Sequence, residues 1–440
     1  MRTPICDFVR EYAESGTTRL HMPGHKGIGE IERFDLTEIK GADSLYEADG
    51  IIAKSEAYAS EIFGADTFYS AEGSSHAIRA MLHLAYLWAM DVGRAPLILA
   101  ARNAHRVFIS AAAMLGIEVE WLPGGDSYVS SRINPSELKG KLDSMSEKPF
   151  ALYITSPDYL GVCADISAIA AVCKERGILL LVDNAHGAYL KFLHKSEHPI
   201  DLGADMCTDS AHKTLPVLTG GAYLHISKNA PAMLSGGAKA ALALYGSTSP
   251  SYIILASLDR VNPYLKDGFA DDLSSLVSKI EIAKATLVGA GYNVVGDEKA
   301  KITISSKPYG YLGTELADCL RAFGIEPEFA DRDYLVLMLS PRAPEALDRL
   351  TKALLSINRR EAIQEASPSP ISVERVMSIR EATFSPSITL PLAECVGRIL
   401  AVADVACPPA VPILVPGERI DKEHIEILSY YGKASLTVVK

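Results

Sequence analysis

The sequence predicts an α/β protein, with a large domain built on a mostly parallel sheet and smaller α+β domains after it. Two observations support this fold class. Between residues 50 and 255, short and solidly apolar segments alternate with amphipathic ones, as strands and helices do around a parallel sheet. After residue 255, a long amphipathic segment and a few short apolar runs replace that alternation. The 440 residues, 48% of them hydrophobic, suffice for two or three domains with a sizeable core.

The elements of the large domain follow from the spacing of apolar residues. Residues 74–91 repeat them at helical spacing, whereas residues 96–100 are apolar throughout, which is typical of a strand buried on both faces. The same criteria predict the other elements in order: a helix at 106–115, strands at 117–122 and 150–155, a helix at 166–176, and strands at 178–182, 204–208 and 221–226.

The rest of the chain has the pattern of small α+β domains. Residues 271–291 predict a long amphipathic helix, and a helix at 314–323 lies between strands at 301–305 and 334–339. The polar segment 361–370, which ends in Ser-Pro-Ser-Pro, predicts a linker. We therefore predict three domains, listed by their residues as 1–255, 256–360 and 371–440.

The composition excludes several classes of function. With 43 basic and 54 acidic residues, the net charge is −11, opposite in sign to that of proteins that neutralise nucleic-acid phosphates. No apolar run is long enough to span a bilayer, and Asp7 interrupts the N-terminal segment, so neither a membrane span nor a signal peptide is predicted. Scattered cysteines without a CxxC pair indicate buried thiols of a cytoplasmic protein rather than a metal site. They are Cys6, Cys163, Cys173, Cys207, Cys319, Cys395 and Cys407.

The strongest candidate for a catalytic site is the segment Asp209-Ser-Ala-His-Lys-Thr, which follows a predicted strand. Pyridoxal phosphate requires a lysine that binds its aldehyde, donors for its phosphate and an acid that keeps its ring nitrogen protonated. Lys213 is such a lysine, with Ser210 and His212 beside it. Asp183, thirty residues upstream, ends a buried strand at the edge where α/β sheets bind ligands. An isolated Asp is more often a cap and an isolated His-Lys a surface pair, but together in this order they favour pyridoxal phosphate.

Further donors for the phosphate precede a predicted helix. Gly73, Ser74 and Ser75 lie just before a helix that is predicted to start near His76, and the free N–H groups of a helix N-terminus bind anions. Taken alone, Gly-Ser-Ser is a common N-cap, and it gains weight only from the lysine and the aspartate. His105 follows another strand at the same predicted edge, where its imidazole could stack on the cofactor ring.

Several motifs resemble those of the Orn/Lys/Arg decarboxylases. The most specific are His-Met-Pro-Gly-His-Lys at 21–26 and Ser-Ala-His-Lys-Thr-Leu at 210–215. Others run through most of the chain, among them Asp-Asn-Ala-His-Gly at 183–187, Ser-Thr-Ser-Pro-Ser-Tyr at 247–252 and Val-Pro-Gly-Glu at 415–418. The resemblance implies the aspartate-aminotransferase-like pyridoxal phosphate fold, fold type I, and decarboxylation of a basic amino acid.

The resemblance also implies a role for each matching residue. Lys213 would bind the cofactor aldehyde, Asp183 would pair with the ring nitrogen, His105 would stack over the ring and His186 would lie beside it. Lys213 or His212 would supply the proton that replaces the carboxylate. The phosphate would be contacted by Ser74, Ser75, Ser210 and His212. Thr248 would reach the phosphate of a neighbouring subunit, which implies a homodimer or a higher homo-oligomer.

The chain departs from the family pattern at three points. Glu72 lies in the phosphate loop where the family usually has Asn, and an acid there must point away from the phosphate. Asp158 replaces a more usual Thr. The His-Met-Pro-Gly motif starts at residue 21, so the N-terminal wing domain of the larger enzymes is expected to be absent, as in the short, wingless branch of the family.

The substrate and two rival functions stay open. Acids that could bind a basic side chain are Glu38, Asp43, Glu47, Asp49, Asp158 and Glu418, most of which are expected to be ordinary solvated or capping carboxylates. Resemblance to the wingless branch favours arginine, then lysine, then ornithine. An aminotransferase or lyase of the same fold would use the same lysine and aspartate but would need an arginine for the substrate carboxylate. A catalytically silent paralogue that only binds pyridoxal phosphate is the second rival.

Overall fold

The computed structural model describes residues 3–122, 125, 127–403 and 411–440. Cys407 therefore lies outside the described residues. The chain divides into two compact units. The first unit comprises Met1–Ala95, Glu147–Tyr153 and Ile166–Asp272. The second comprises Pro96–Ser146, Ile154–Asp165 and Leu273–Lys440. The three domain ranges given above stay a prediction.

The helices and strands alternate over much of the described chain. The helices are α1 (Pro4–Glu14), α2 (Ile51–Phe63), α3 (Gly73–Asp91), α4 (Arg106–Leu115), α5 (Pro135–Ser144), α6 (Ile166–Glu175), α7 (Ala211–Thr214), α8 (Ala232–Tyr245), α9 (Tyr252–Lys266), α10 (Phe269–Gly289), α11 (Gly313–Ala322), α12 (Glu345–Ser356), α13 (Ile379–Phe384) and α14 (Lys422–Tyr430). The strands are β1 (Asp66–Ser70), β2 (Leu97–Ala100), β3 (Glu118–Trp121), β4 (Ala151–Thr155), β5 (Leu179–Asp183), β6 (Met206–Asp209), β7 (Ala222–Ile226), β8 (Asn293–Val295), β9 (Lys301–Ser305), β10 (Phe329–Ala330), β11 (Tyr334–Met338), β12 (Ser387–Pro391) and β13 (Ser435–Val439).

The sheet of the first unit has the strand order β1-β7-β6-β5-β4. Every residue of β5, β6 and β7 is buried, which explains why β5 has four apolar residues in a row before Asp183 rather than an alternating pattern. Strands β5 and β6 are parallel, with Asp183 opposite Thr208. Because parallel strands end at the same edge of a sheet, Asp183 and the turn after β6 emerge on the same side.

The second unit contains three smaller groups of strands. Strands β2 and β3 pair in parallel, with Leu97 opposite Glu118. The antiparallel sheet β10-β11-β9-β8 packs with α10, α11 and α12 around an apolar core that includes Ile302, Ile304 and Leu335. Strands β12 and β13 form an antiparallel pair with its own apolar cluster near the C-terminus. This arrangement matches the small α+β pattern predicted for the second half of the chain.

The sequence did not predict how the first unit's sheet ends. Strand β1 was not predicted, and β7 runs antiparallel to both β1 and β6. Strand β1 is short, and Phe68 and Tyr69 are its only apolar residues, so its signal is weak compared with the solid run of β5. The direction of a buried strand depends on the path of the chain, and the composition of the strand does not indicate it.

Within the described residues, we find no helix with both the length and the apolar character needed to cross a membrane.

Candidate active site

Lys213 lies on α7, the single helical turn that directly follows β6. Its backbone N–H donates to the carbonyl oxygen of Ser210, 2.9 Å away, which fixes the turn. The Nζ atom lies 3.1 Å from Nε2 of His186, a buried residue three positions after the end of β5. Lys213 itself is exposed, so its amine is held against buried polar groups while the side chain stays accessible from solvent.

Asp183 is the last residue of β5 and is only 2% exposed. Its Oδ1 accepts a hydrogen bond from the backbone N–H of Ala185, 3.2 Å away, and its Oδ2 accepts one from the hydroxyl of Tyr153, 3.1 Å away. Burial raises the pKa of Asp183, and the positive charge of Lys213 opposes that rise. A carboxylate in such a buried position gains from a cationic partner, so Asp183 is well suited to pair with a cationic nitrogen.

The start of α3 forms a possible anion-binding site, here called the cradle, beside α7, the turn that contains Lys213 and is called the lysine turn below. The hydroxyl of Ser210 donates to Oγ of Ser74, 2.7 Å away, so the start of α3 adjoins the turn that contains Lys213. Gly73 has a φ of +75° and donates its N–H to the carbonyl oxygen of Gly220 at 2.7 Å. At Gly220 (φ +97°) a Cβ would lie 2.9 Å from the carbonyl oxygen of Ala71, so this close approach requires glycine.

The start of α3 is available to a ligand. The N-cap residue Glu72 makes no side-chain capping hydrogen bond to this 19-residue helix, so the N–H groups that follow Gly73 and two serine hydroxyls can serve an anion. The lysine amine, the buried carboxylate and this cradle form a continuous set within the first unit. Together they match the aldehyde, the ring nitrogen and the phosphate of pyridoxal phosphate.

The remaining predicted residues lie as follows. His212 is half-buried, and its Nδ1 lies 3.0 Å from the carbonyl oxygen of Gly221, so Nδ1 carries the hydrogen. Ser75 is half-buried in the first turn of α3, and Thr248 is exposed between α8 and α9. His105 belongs to the second unit, where its Nδ1 caps α4 by accepting a hydrogen bond from the N–H of Val107 at 3.2 Å. Their contacts with a cofactor stay predictions.

Comparison with known proteins identifies the family. Residues 3–287 match the major domain of the Orn/Lys/Arg decarboxylases, and residues 373–436 match the C-terminal domain of the same family. The chain belongs to the Orn/Lys/Arg decarboxylase family. It is a pyridoxal-phosphate-dependent amino acid decarboxylase with the predicted fold type I, as the motifs in the sequence implied.

Individual relatives match over nearly their whole length. The chain is 29% identical to the arginine decarboxylase of Bacillus subtilis over 99% of its own length and 95% of that protein's. It has the same identity and the same two coverages with the arginine decarboxylase of Halalkalibacterium halodurans. Among solved structures, the lysine decarboxylase of Francisella novicida superposes with a TM-score of 0.79 at 18% identity, covering 100% of this chain and 81% of that one. At that identity, the superposition supports the fold alone.

Glu72, the acid in the predicted phosphate loop of this decarboxylase, is directed toward the turn between α8 and α9. Its Oε1 accepts a hydrogen bond from the backbone N–H of Ser247 at 2.6 Å. The contact anchors the turn that contains Thr248 to the start of α3. The carboxylate is therefore engaged by a backbone donor, which agrees with the electrostatic requirement that it point away from a bound phosphate.

The sequence analysis missed a buried polar network behind the site. Asp209, the last residue of β6, accepts hydrogen bonds from Nδ2 of Asn184 at 2.7 Å and from Nε2 of both His198 and His225 at 3.2 Å. Burial disfavours its ionisation, but the two imidazoles hold the pKa of Asp209 well below its ordinary value. The signal was the position of Asp209 directly before the Ser-Ala-His-Lys motif.

Part of this network has the composition of a metal site. His198, Cys207 and Asp209 each offer a ligand atom, and the three atoms lie within 4.8 Å of one another. However, burial raises the pKa of the Cys207 thiol well above its ordinary value, and metal ions bind the thiolate. Because the oxygens of Asp209 also accept three hydrogen bonds, the cluster is a hydrogen-bonded support for the ends of β5 and β6.

Three of the six acids considered for the substrate pocket are buried and have structural partners. Asp43 accepts hydrogen bonds from the N–H groups of Gly50 and Ile52 at the start of α2. Asp158 accepts from Ser130 and from the N–H of Val162, and burial raises the pKa of Asp158 to about 6. Glu418 pairs with Arg102 as described next. The other three, all exposed, are Glu38, Glu47 and Asp49.

The ion pair between Arg102 and Glu418 is expected to stabilise the second unit. The two side chains are 14% and 6% exposed, and Nη2 lies 2.8 Å from Oε2, which also accepts the N–H of Val415 at 2.7 Å. Replacing Glu418 by Ala leaves a buried guanidinium without its counter-charge, so we expect the free energy of unfolding to fall by about 3–5 kcal/mol. Urea unfolding followed by circular dichroism measures this change.

Glu374 provides a matched control for that variant. It pairs with Arg419 at 2.7 Å but is 65% exposed, so Glu374→Ala should change stability by less than about 1 kcal/mol. Equal losses in the two variants would show that burial of the Glu418 pair has no special importance.

Proposed function

We propose that this protein decarboxylates a basic L-amino acid to the corresponding amine and CO2, with arginine preferred to lysine and lysine to ornithine. The observation that carries the proposal is the set formed by Asp183, His186 and Lys213 beside the uncapped start of α3. The preference for arginine is supported by the near full-length match to proteins named arginine decarboxylase. The same lysine and aspartate would serve an aminotransferase or a lyase, and the match to both domains of the decarboxylase family favours decarboxylation.

Residues of the first unit supply the lysine, the acid and the phosphate donors that pyridoxal phosphate requires. We infer that Lys213 binds its aldehyde covalently and that Asp183 pairs with its ring nitrogen, while His105 stacks on the ring and His186 lies beside it. The phosphate is assigned to the start of α3 and the lysine turn, through Gly73, Ser74, Ser75, Ser210 and His212. The hydrogen bond between Ser210 and Ser74 supports this assignment, because it brings both hydroxyls to the same helix N-terminus.

The chemistry divides between the cofactor and the side chains. Pyridoxal phosphate, when bound, supplies an electron sink for the bond that breaks as CO2 leaves. Asp183 keeps the ring nitrogen protonated by placing a negative charge beside it in a buried environment. His186 lies within hydrogen-bond distance of Nζ of Lys213 and positions that amine. Lys213 or His212 then donates the proton that takes the place of the carboxylate on the substrate.

The same proposal includes assembly into a homodimer or a higher oligomer, with Thr248 reaching the phosphate of a neighbouring subunit. Large apolar side chains in the segment around the His-Met-Pro-Gly motif support it, since Leu20 is 90% and Ile28 is 82% exposed. Light scattering coupled to size-exclusion chromatography measures the mass. A monomer across the working concentration range would contradict this part of the proposal.

A product screen tests the reaction and the substrate together. Purified protein and pyridoxal phosphate are incubated separately with arginine, lysine and ornithine, and agmatine, cadaverine, putrescine and CO2 are measured by mass spectrometry. We expect agmatine to form fastest. If no amine forms but an added amino acid changes the cofactor's absorbance, an aminotransferase or lyase replaces the proposal. Bound cofactor without turnover of any amino acid would indicate the silent paralogue.

The expected products also suggest a metabolic role and a cellular compartment. Because these amines are polyamines or precursors of them, we propose a role in polyamine biosynthesis in the cytoplasm. The six cysteines within the described residues are free thiols, as expected in a reducing compartment. Cell fractionation with an antibody against the chain tests the location.

A further inference from the structure

Tyr153 contacts the candidate catalytic carboxylate, although no motif in the sequence distinguishes it. It lies on β4, next to β5 in the sheet, and its side chain is fully buried. Its hydroxyl donates to Oδ2 of Asp183 at 3.1 Å. Burial, and next the negative charge of Asp183, raise the pKa of Tyr153 well above its ordinary value. The phenol therefore stays protonated and remains a donor over the whole working pH range.

We propose that Tyr153 is a positioning residue, which orients the Asp183 carboxylate and keeps it ionised for the ring nitrogen of pyridoxal phosphate. The inference rests on the proposed pairing of Asp183 with that nitrogen. It assigns Tyr153 no contact with substrate or cofactor. Its effect on the reaction passes through Asp183 alone.

Orientation follows from the two hydrogen bonds. The N–H of Ala185 donates to Oδ1 and the Tyr153 hydroxyl donates to Oδ2, so each oxygen of the Asp183 carboxylate has a fixed donor. Rotation of the carboxylate would break both contacts in a buried site, where unpaired polar atoms are costly. A donor from β4 thus complements one from the turn after β5.

Ionisation follows from the charges around the carboxylate. Burial and the negative charge of Asp209 raise the pKa of Asp183, whereas Lys213, the N–H of Ala185 and the Tyr153 hydroxyl lower it. Removing the phenol donor makes the carboxylate more basic. A shared proton then moves from the ring nitrogen toward Asp183, and the charge that stabilises the electron sink is reduced.

Tyr223 supplies a matched control. It is a fully buried tyrosine on β7 of the same sheet, and its hydroxyl has no hydrogen-bond partner among the described residues. Tyr153→Phe and Tyr223→Phe therefore remove the same atom from equally buried rings. Only the first change removes a donor from Asp183.

The experiment compares both variants with the wild type. The dissociation constant of pyridoxal phosphate is measured by titrating the apoprotein, and the pH dependence of cofactor absorbance, kcat and KM are measured on the loaded protein. For Tyr153→Phe we expect weaker cofactor binding and a lower kcat, each by about tenfold, as the loss of one charge-assisted hydrogen bond implies. KM should stay within about twofold, and the absorbance titration should shift. Tyr223→Phe should behave as the wild type.

A double variant separates positioning from a general structural effect. In an Asp183→Asn background, Tyr153→Phe should change the dissociation constant no further, because the residue acts through the carboxylate. An additional tenfold loss in that background, or equal behaviour of Tyr153→Phe and Tyr223→Phe, would overturn the inference.

The test stays separate from that of the proposed reaction. If the wild type binds pyridoxal phosphate but decarboxylates no basic amino acid, the proposed reaction fails, whereas the dissociation constants and absorbance titrations still decide the role of Tyr153. Failure of the wild type to bind the cofactor would overturn both.

Discussion

Replacing Lys213 by Ala is expected to lower the rate of CO2 release from the preferred substrate by at least about a thousandfold. The amine is assigned two tasks, the covalent attachment of the cofactor and delivery of the proton that replaces the carboxylate. A positioned proton donor alone contributes about 10²–10⁴-fold to a rate. Its Nζ lies 3.1 Å from Nε2 of the buried His186, which holds the amine in the site. Amine formation under saturating substrate and cofactor measures the loss.

Lys228 is the control for this variant. It is an exposed lysine just after β7, and Lys228→Ala should leave turnover unchanged. Pyridoxal phosphate should still bind to the Lys213→Ala variant through Asp183 and the start of α3, with lower affinity. Turnover of Lys213→Ala within about tenfold of the wild type would assign both tasks to another residue, with His212 the first to examine.

The parts of the fold that the sequence predicted are those with strong and local patterns. Strand β5 was expected at residues 178–182 and is observed at Leu179–Asp183, because an unbroken apolar run between a glycine and polar residues allows little else. Strand β1 was missed, since its pairing with β7 at the end of the sheet depends on distant residues. Local periodicity does not encode such pairings.

The site shows the same division. Asp183 could be proposed from the sequence because it ends a buried strand, and Lys213 because it lies in the turn after one, where chemistry limits which residue types can serve. Tyr153 was missed, and Asp209 was named in the candidate segment without a role, because their importance lies in contacts across neighbouring strands, which one sequence does not specify. A tyrosine in a buried strand has the composition of ordinary core. Its hydroxyl acquires meaning only when the neighbouring strand places Asp183 opposite it.

Replacing Asp183 by Ala is expected to reduce kcat by about 10²–10³-fold while the protein stays folded. The carboxylate supplies the charge that stabilises the protonated ring nitrogen, and loss of one preorganised electrostatic group in a buried site costs about 3–4 kcal/mol. The affinity for pyridoxal phosphate should fall as well. Asp205, which accepts the N–H of Leu180 at 2.7 Å and lies just before β6, is the control, because burial raises its pKa too. Asp205→Asn should retain turnover. A fall in kcat as large as that of Asp183→Ala would contradict a special role for Asp183.

Removing the Asp183 carboxylate should lower kcat but raise the stability of the apoprotein. Burial raises the pKa of Asp183 above its ordinary value of 3.8, so the folded state binds a proton more tightly than the unfolded state does. Its favourable contribution is therefore complete below pH 3.8 and is lost as the pH rises through the folded-state pKa. At pH 7 Asp183 therefore opposes folding, and Asp183→Asn should raise the melting temperature of the apoprotein, with the gain disappearing toward pH 4. A variant less stable than the wild type at pH 7 would contradict this prediction. It would show that Lys213 and the donors from Ala185 and Tyr153 already compensate for the burial of Asp183, so that the catalytic carboxylate does not lower the stability of the fold.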